Sequence, residues 1–263
     1  MPELPEVETV VRSIRGHLVG EIIVSASFSS HRVTRGDHAT TAAALAGSRI
    51  TDIERRGKQI WIQLDRGFLY VHLGMTGKLL WNGEPGKYTR ACLQLIGGRL
   101  LFDDIRTFGR FEFFAARETA LAPVGPDALT VSVEEFLGRL RERRGRIKAI
   151  LLSQSFLAGV GNIYADEALF AAGIHPRALS RRVSDRRARR LHAAMVDILS
   201  TAIRHKGSSI SDYVDGFGAR GSFQQLHKVY GRTGEPCPSC GAIIRRIVVG
   251  QRGTHYCPRC QRV

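Results

Sequence analysis

The chain has no apolar run approaching the ~18 residues that a membrane-spanning helix needs. Its start shows no basic segment followed by an apolar one, the pattern that directs secretion. Both absences point to the cytoplasm. No internal repeat and no low-complexity tail is visible. Negative charge is scarce: 24 Asp and Glu stand against 39 Lys and Arg, a formal net charge of +15. A deficit of that size implies a polyanionic partner, and nucleic acid and an acidic membrane surface are both compatible with it. Cysteine is scarce too. Of five, Cys92 stands alone in an apolar stretch, as an inert core residue would, and four form two C-x2-C pairs near the end. That clustering suggests metal binding in a reducing compartment and argues against a disulfide framework.

What is present is ample for a core. The 263 residues are 43% hydrophobic, and the length suggests two compact domains. After an amphipathic first helix, closed by Gly16, strand-like runs occur at 21–28, 49–55, 59–64, 68–73, 78–81, 91–96, 99–102 and 110–115, a density that predicts a β-sandwich. The Pro- and Gly-rich stretch 122–127 breaks the pattern and marks a boundary. Helical periodicity follows over 133–141, 146–154, 163–172 and 185–204. The expected organisation is α+β and multidomain: a sandwich domain with an N-terminal helix over 1–121, a helical domain over 122–228, and a cysteine module over 229–263.

Several stretches carry chemistry. If Met1 is removed, Pro2 presents a secondary amine, a nucleophile that titrates near pH ~8 and forms a permanently charged iminium with a sugar aldehyde. Glu3 and Glu6 fall in the first turn of the helix formed by Val7, Val10, Val11 and Ile14. The spacing alone favours an ordinary helix start, with Pro near the beginning and acids complementing the dipole. Lys58 shares the apolar face of the strand bearing Ile60, Ile62 and Leu64, either as a snorkelling rim residue or as a cation aimed into a cleft. Met75 sits in a Gly-Met-Thr-Gly stretch expected to be a tight hairpin turn, and Arg106 and Phe108 lie in a second loop between strands. Gly159-Val160-Gly161-Asn162 opens a helix with Asn162 as its N-cap and small residues suited to phosphate approach. Cys237, Cys240, Cys257 and Cys260, with sixteen residues between the pairs, match the C-x2-C-x15–20-C-x2-C zinc pattern. Four thiolates close the coordination shell, so one zinc is expected in a structural role. Between the pairs, 243–249 and 254–256 alternate as a hairpin with Arg252 at its tip. The arginines 181, 182, 186, 187, 189 and 190 read as a solvated helix face that adds to the positive field.

The strings PELPEVE at the start, HLGMTGKL, DIRTFG, GVGNIYADEALFAAGIHP and VYGRTGEPC, with the terminal cysteine motif, resemble the formamidopyrimidine-DNA glycosylases, bacterial base-excision repair enzymes. The likeness covers nearly the whole chain. It implies a monomeric enzyme acting on double-stranded DNA that contains oxidised bases, chiefly 8-oxoguanine and formamidopyrimidines. The implied route is attack by Pro2 on C1′, a Schiff base, and strand cleavage by β,δ-elimination, with Glu3 shuttling protons and Glu6 in support. The resemblance further implies an essential lysine at Lys58, holding the DNA backbone and assisting proton transfer. It implies a wedge of Met75, Arg106 and Phe108 that fills the space of the extruded nucleotide. A helix-two-turn-helix in which Asn162 and Lys148 grip the strand beside the lesion is also implied, with an essential arginine at Arg252 and a base-capping loop over 207–224. Tyr88 stands where many members have a phosphate-binding histidine. Two other readings use the same residues: an endonuclease VIII-like glycosylase for oxidised pyrimidines, and a non-catalytic zinc-stabilised DNA-binding protein. PELPEVE, Met75 and the Arg106/Phe108 pair favour the purine branch over the first. The second leaves Pro2, Glu3 and Lys58 together without a reason.

Overall fold

A computed structural model describes residues 1–116 and 124–262, which form two compact units. The first comprises 1–122 and 205–222, and the second 123–204 and 223–263, each within the described range. Part of the 122–127 boundary therefore lies outside the described residues.

In the first unit, α1 (Leu4–Leu18) buries Val7, Val10, Val11, Ile14 and Leu18 along one stripe. The helix passes through Gly16 rather than closing there. Gly16 lies on the open face, where glycine costs only about 1 kcal/mol, and burial of Leu18 extends the helix one more half-turn. It ends where the Val19 N–H bonds the Arg15 carbonyl and Gly20 turns left-handed at φ +95°. Eight strands follow: β1 (Ile23–Phe28), β2 (Ile50–Arg56), β3 (Gln59–Leu64), β4 (Gly67–His72), β5 (Lys78–Trp81), β6 (Thr89–Leu95), β7 (Arg99–Asp103) and β8 (Arg110–Phe114). They build two four-stranded antiparallel sheets, ordered β1-β6-β7-β5 and β2-β3-β4-β8. One apolar core takes Ile60, Ile62 and Val71 from one sheet, Leu93, Leu100 and Phe102 from the other, and the stripe of α1.

Two expectations change. A helix α2 (His38–Leu45) intervenes between β1 and β2; its sequence, HATTAAAL, buries only Leu45, so no apolar period announces it. Gly74-Met75-Thr76-Gly77 is not a hairpin turn, because β4 and β5 belong to different sheets. It is a crossover between sheets, and so is the loop from β7 to β8.

Residues 205–222 return to the first unit as an ordered segment. The Gly216 N–H bonds Ser13 Oγ at 3.0 Å and its carbonyl accepts Trp81 N–H at 2.8 Å. Phe217 meets the His17 ring edge-on. Asp215 folds the turn by accepting the N–H groups of Phe217 and Ala219.

The second unit holds α3 (Val133–Glu142), α4 (Ile147–Leu152), α5 (Asn162–Ala171), α6 (Asp185–Arg204) and a hairpin of β9 (Arg245–Val249) and β10 (Arg252–Tyr256). Ser132 caps α3 through the Glu135 N–H. Gly173, at φ +64°, ends α5 in a Schellman motif: its N–H bonds Phe170 O and that of Ile174 bonds Leu169 O, both at 2.9 Å. Among the described residues no helix is long and apolar enough to cross a membrane.

A methyl group added at Gly216 would stand 2.1 Å from Ile14 Cγ2. Gly216→Ala is therefore expected to cost roughly 1–3 kcal/mol by overpacking. Denaturant unfolding should show that loss, and amide exchange should quicken selectively over 205–222.

Candidate active site and nucleic-acid interface

The chain start is built around two carboxylates. Glu3 is the N-cap of α1 rather than a first-turn residue, because Leu4 and Pro5 occupy the first two helical positions. It forms a reciprocal capping box with Glu6. Glu6 is buried, and its Oε2 accepts the Glu3 N–H at 2.8 Å while its Oε1 accepts the Ser208 N–H at 2.7 Å. One carboxylate thus fixes the Pro2-Glu3 dipeptide against the 205–222 segment. Pro2 and Glu3 are buried, and Met1 is exposed.

Lys58 is buried, but it lies in the turn before β3 rather than in the strand itself. Arg56 pairs with Gln59, leaving Gly57 and Lys58 as a two-residue loop with Gly57 at φ +60°. His72, at the end of β4 opposite Gln59, was missed in the sequence. Burial, then the positive charges of Lys58 and Arg110, pushes its pKa down to about 4, and its Nδ1 accepts the Gly74 N–H at 3.1 Å. Its sequence signal is its place at the head of the HLGMTGKL string, two residues before Gly74.

Met75, Ile105 and Phe108 project into solvent, 41%, 48% and 57% exposed, from the two crossover loops. The Arg106 guanidinium stacks 4.8 Å from the Phe108 ring centre. Asp104, also missed, is fully buried between the loops. Its Oδ1 accepts Thr76 Oγ1–H at 2.5 Å and the Arg106 N–H at 3.2 Å, and its Oδ2 accepts the Gly109 N–H at 2.8 Å. Tyr88 is partly exposed, between Lys87 and Arg90, and its carbonyl accepts the Asp104 N–H.

In the second unit the N-cap of α5 is Gly161, in extended conformation with no side-chain cap; Asn162 is the first helical residue, one position later than expected. Its Nδ2 donates instead to the Gly253 carbonyl at 3.0 Å. Lys148 corrects a second expectation. A phosphate grip requires an exposed ammonium, yet Lys148 is 0% exposed. It pairs with buried Asp166 at 2.7 Å and donates to Thr254 Oγ1 at 2.8 Å and Gly253 O at 3.3 Å. Asp166 also accepts the His255 N–H. Lys148, Asn162 and Asp166 therefore converge on β10 beside Arg252. That arginine is the first residue of β10, paired with Val249, and the tip is Gly250-Gln251, with φ of +57° and +59°. Both values suit a type I′ turn.

The cysteine module fits a metal. Four sulfurs at tetrahedral corners about 2.3 Å from zinc would lie roughly 3.8 Å apart. The Cys237–Cys260 and Cys240–Cys257 Sγ distances are 3.9 and 3.4 Å, and all four atoms lie within 4.8 Å of one another with no disulfide. The four cysteines are the ligands of one structural zinc. Val229 and Ile244 pack beneath them. Glu167 on α5 accepts the N–H groups of Lys228, Val229 and Tyr230 where the chain enters the module. Of the arginine cluster, Arg190 donates to Ala172 O and Arg187 to Arg262 O, while Arg189 meets Glu134 at 3.3 Å.

Residues 1–111 match the formamidopyrimidine-DNA glycosylase N-terminal domain, 123–214 the H2TH domain of the same enzymes, and 234–263 the zinc finger found in FPG and IleRS. The chain belongs to the formamidopyrimidine-DNA glycosylase family. The enzyme of that name from Solibacter usitatus is 52% identical over 264 residues, with both chains fully covered. That of Desulforamulus reducens is 42% identical, covering 100% of this chain and 99% of its own. Among solved structures, the MutM (FPG) protein of Thermus thermophilus superposes with a TM-score of 0.88 at 41% identity, covering 99% of this chain and 98% of its own. A Lactococcus lactis FPG mutant in complex with Fapy-dG containing DNA gives 0.91 at 35% identity, with full coverage of both chains.

Two outcomes follow from burial. Lys148→Ala leaves the Asp166 carboxylate buried without its cation, so denaturant unfolding of the second unit should lose about 3–5 kcal/mol. An exposed phosphate-gripping lysine would lose under about 0.5 kcal/mol. His72 and His227 are both held near pKa 4 by burial, against 6.5 when unfolded. Between those values the unfolded chain binds more protons at these two sites, so their contribution to stability should fall as pH drops from 6.5 to 4 and stay flat above. His72→Gln should reduce the slope in that window by up to about 1.4 kcal/mol per pH unit in unfolding titrations.

Proposed function

We propose that this chain is a bifunctional DNA glycosylase and abasic-site lyase of base excision repair, acting as a monomer on oxidised purines in double-stranded DNA. The supporting observation is the Glu6 clamp: one buried carboxylate orients the Pro2-Glu3 dipeptide at a helix start and holds the 205–222 segment beside it. On this reading the secondary amine of Pro2, freed by loss of Met1, attacks C1′ as the damaged base departs with a proton. The ring-opened sugar becomes an iminium, which acidifies the C2′ proton. β-Elimination expels the 3′ phosphate and δ-elimination the 5′ phosphate, and hydrolysis frees the amine. Glu3 moves protons to and from the sugar.

We assign the remaining residues by the same reading. Lys58 holds the backbone and assists proton transfer, with neutral His72 beside it. Met75, Arg106 and Phe108 fill the vacated stack, Tyr88 offers a phenol to phosphate, and Arg252 and Asn162 meet the backbone flanking the lesion. Lys148 serves from inside, holding β10. Residues 1–121, with 205–222, supply catalysis, the rest of 122–228 the helical DNA-binding part and 229–263 the zinc module, whose metal braces the Arg252 hairpin. The work takes place on the bacterial nucleoid, in the cytoplasm.

Borohydride trapping on an 8-oxoguanine duplex tests the assignment. Protein shown by mass spectrometry to begin at Pro2 should give a covalent adduct and cleaved strand. Protein that retains Met1 should give neither while binding the duplex within a few-fold. Full trapping by the Met1 form would refute Pro2 as the nucleophile.

A further inference from the structure

We propose that Asp104 is the positioning residue of the wedge: it locks the two crossover loops so that Met75, Arg106 and Phe108 stand ready to occupy the gap left by an extruded nucleotide. The inference rests on the glycosylase reading above.

The geometry is specific to these loops. Asp104 is fully buried, yet among the described residues no lysine or arginine forms an ion pair with it. Its carboxylate is balanced by donors from the two loops: Thr76 Oγ1–H from the Met75 loop, and the Arg106 and Gly109 N–H groups that bracket Phe108. Thr76 Oγ1 in turn accepts the Arg106 N–H at 3.1 Å, so the two loops share one hydrogen-bonded node. Between the bracketed amides, Thr107 takes φ +54°, a left-handed conformation that β-branched residues avoid. Such an outlier persists only where its surroundings over-determine it. Here the two oxygens of Asp104 fix the backbone on either side, and the turn drives Phe108 outward under the Arg106 guanidinium. Backbone contact completes the lock, since a Cβ on Gly74 would stand 2.7 Å from both Phe108 C and Gly109 N.

An apolar staple would not serve. The side chains at the loop tips are the ones required to stay uncovered, so the loops must be joined from beneath by groups that leave Met75, Ile105 and Phe108 in solvent. A buried carboxylate on which donors from both loops converge does this. It also lets the wedge enter DNA without reorganising.

Asp104→Asn tests the inference, because an amide offers one acceptor oxygen and turns an NH2 toward groups that are themselves donors. Excision from an 8-oxoguanine duplex at saturating protein should slow at least about ten-fold. Cleavage of a single-stranded abasic oligonucleotide, which has no partner strand to plug, should stay within about two-fold of the parent. Combining Asp104→Asn with Phe108→Ala should be little slower than the slower single variant, as expected for groups that act as one unit. Thr76→Val removes only the bridging hydroxyl and should show the same pattern at a few-fold level, which serves if Asp104→Asn melts below assay temperature. Equal losses on both substrates, or multiplicative losses in the double variant, would overturn the inference while trapping by the parent protein leaves the glycosylase reading intact. A parent that gives no adduct on any lesion duplex overturns both.

Discussion

A buried carboxylate that accepts backbone N–H groups is the interaction on which the functional segments of this chain depend. Glu6 joins the start of α1 to Ser208, Asp104 joins the two crossover loops, Asp166 holds β10 at His255, Glu167 holds the entry to the zinc module, and Asp215 folds the turn at Phe217. Loops that must meet a substrate cannot bury much apolar surface of their own. Hydrogen bonds to a charged acceptor, at about 1.5–3 kcal/mol each, supply the missing order. In a chain with only 24 acidic residues, this use of them is a marked allocation. It also keeps those charges away from a surface whose remaining charge is strongly positive.

The same device has a cost that sets its limits. Desolvation raises the pKa of Glu167 despite three backbone hydrogen bonds, which oppose the shift without cancelling it. Asp166 takes Lys148 as a buried partner instead. A buried ion pair is weak as a source of stability, because both ions lose their hydration. What it supplies here is placement. Lys148 and Asn162 both reach the Gly253 carbonyl, and Asp166 accepts the His255 N–H two residues on, so the register of the hairpin relative to α4 and α5 is fixed beside Arg252.

Much of the fold was legible because its elements follow their own periods. All eight strands of the sandwich and the four helices of the second unit fall within about two residues of the alternation seen in the sequence. What periodicity does not carry is which sheet a strand joins, so the Met75 loop read as a hairpin when it is a crossover. It also fails where a helix buries hardly anything, as in α2, which buries only Leu45. In α5, where every residue from Ile163 to Leu169 is buried, it gives the helix but not the fact that Asp166 and Glu167 lie inside. The four cysteines could be singled out by type and spacing, whereas Pro2, Glu3 and Lys58 stood out only through the family resemblance, since their spacing alone reads as an ordinary helix start and a rim lysine. The carboxylates that hold them could not, because an acid in a loop or on a helix reads as solvated until its donors are known.

That division explains why Lys148 was misplaced. The family resemblance made Lys148 a phosphate ligand, and only the position of Asp166, on the next helix, turns it inward. The exposed and buried sets are complementary. Where apolar groups such as Met75, Ile105 and Phe108 stand in water, a polar group lies buried beneath them. Each inversion of the usual inside-out rule is unfavourable alone. On the wedge role proposed above, a tip held by the buried acid would enter a disrupted duplex without first losing conformational freedom, so that the ordering cost is met in folding instead of in binding.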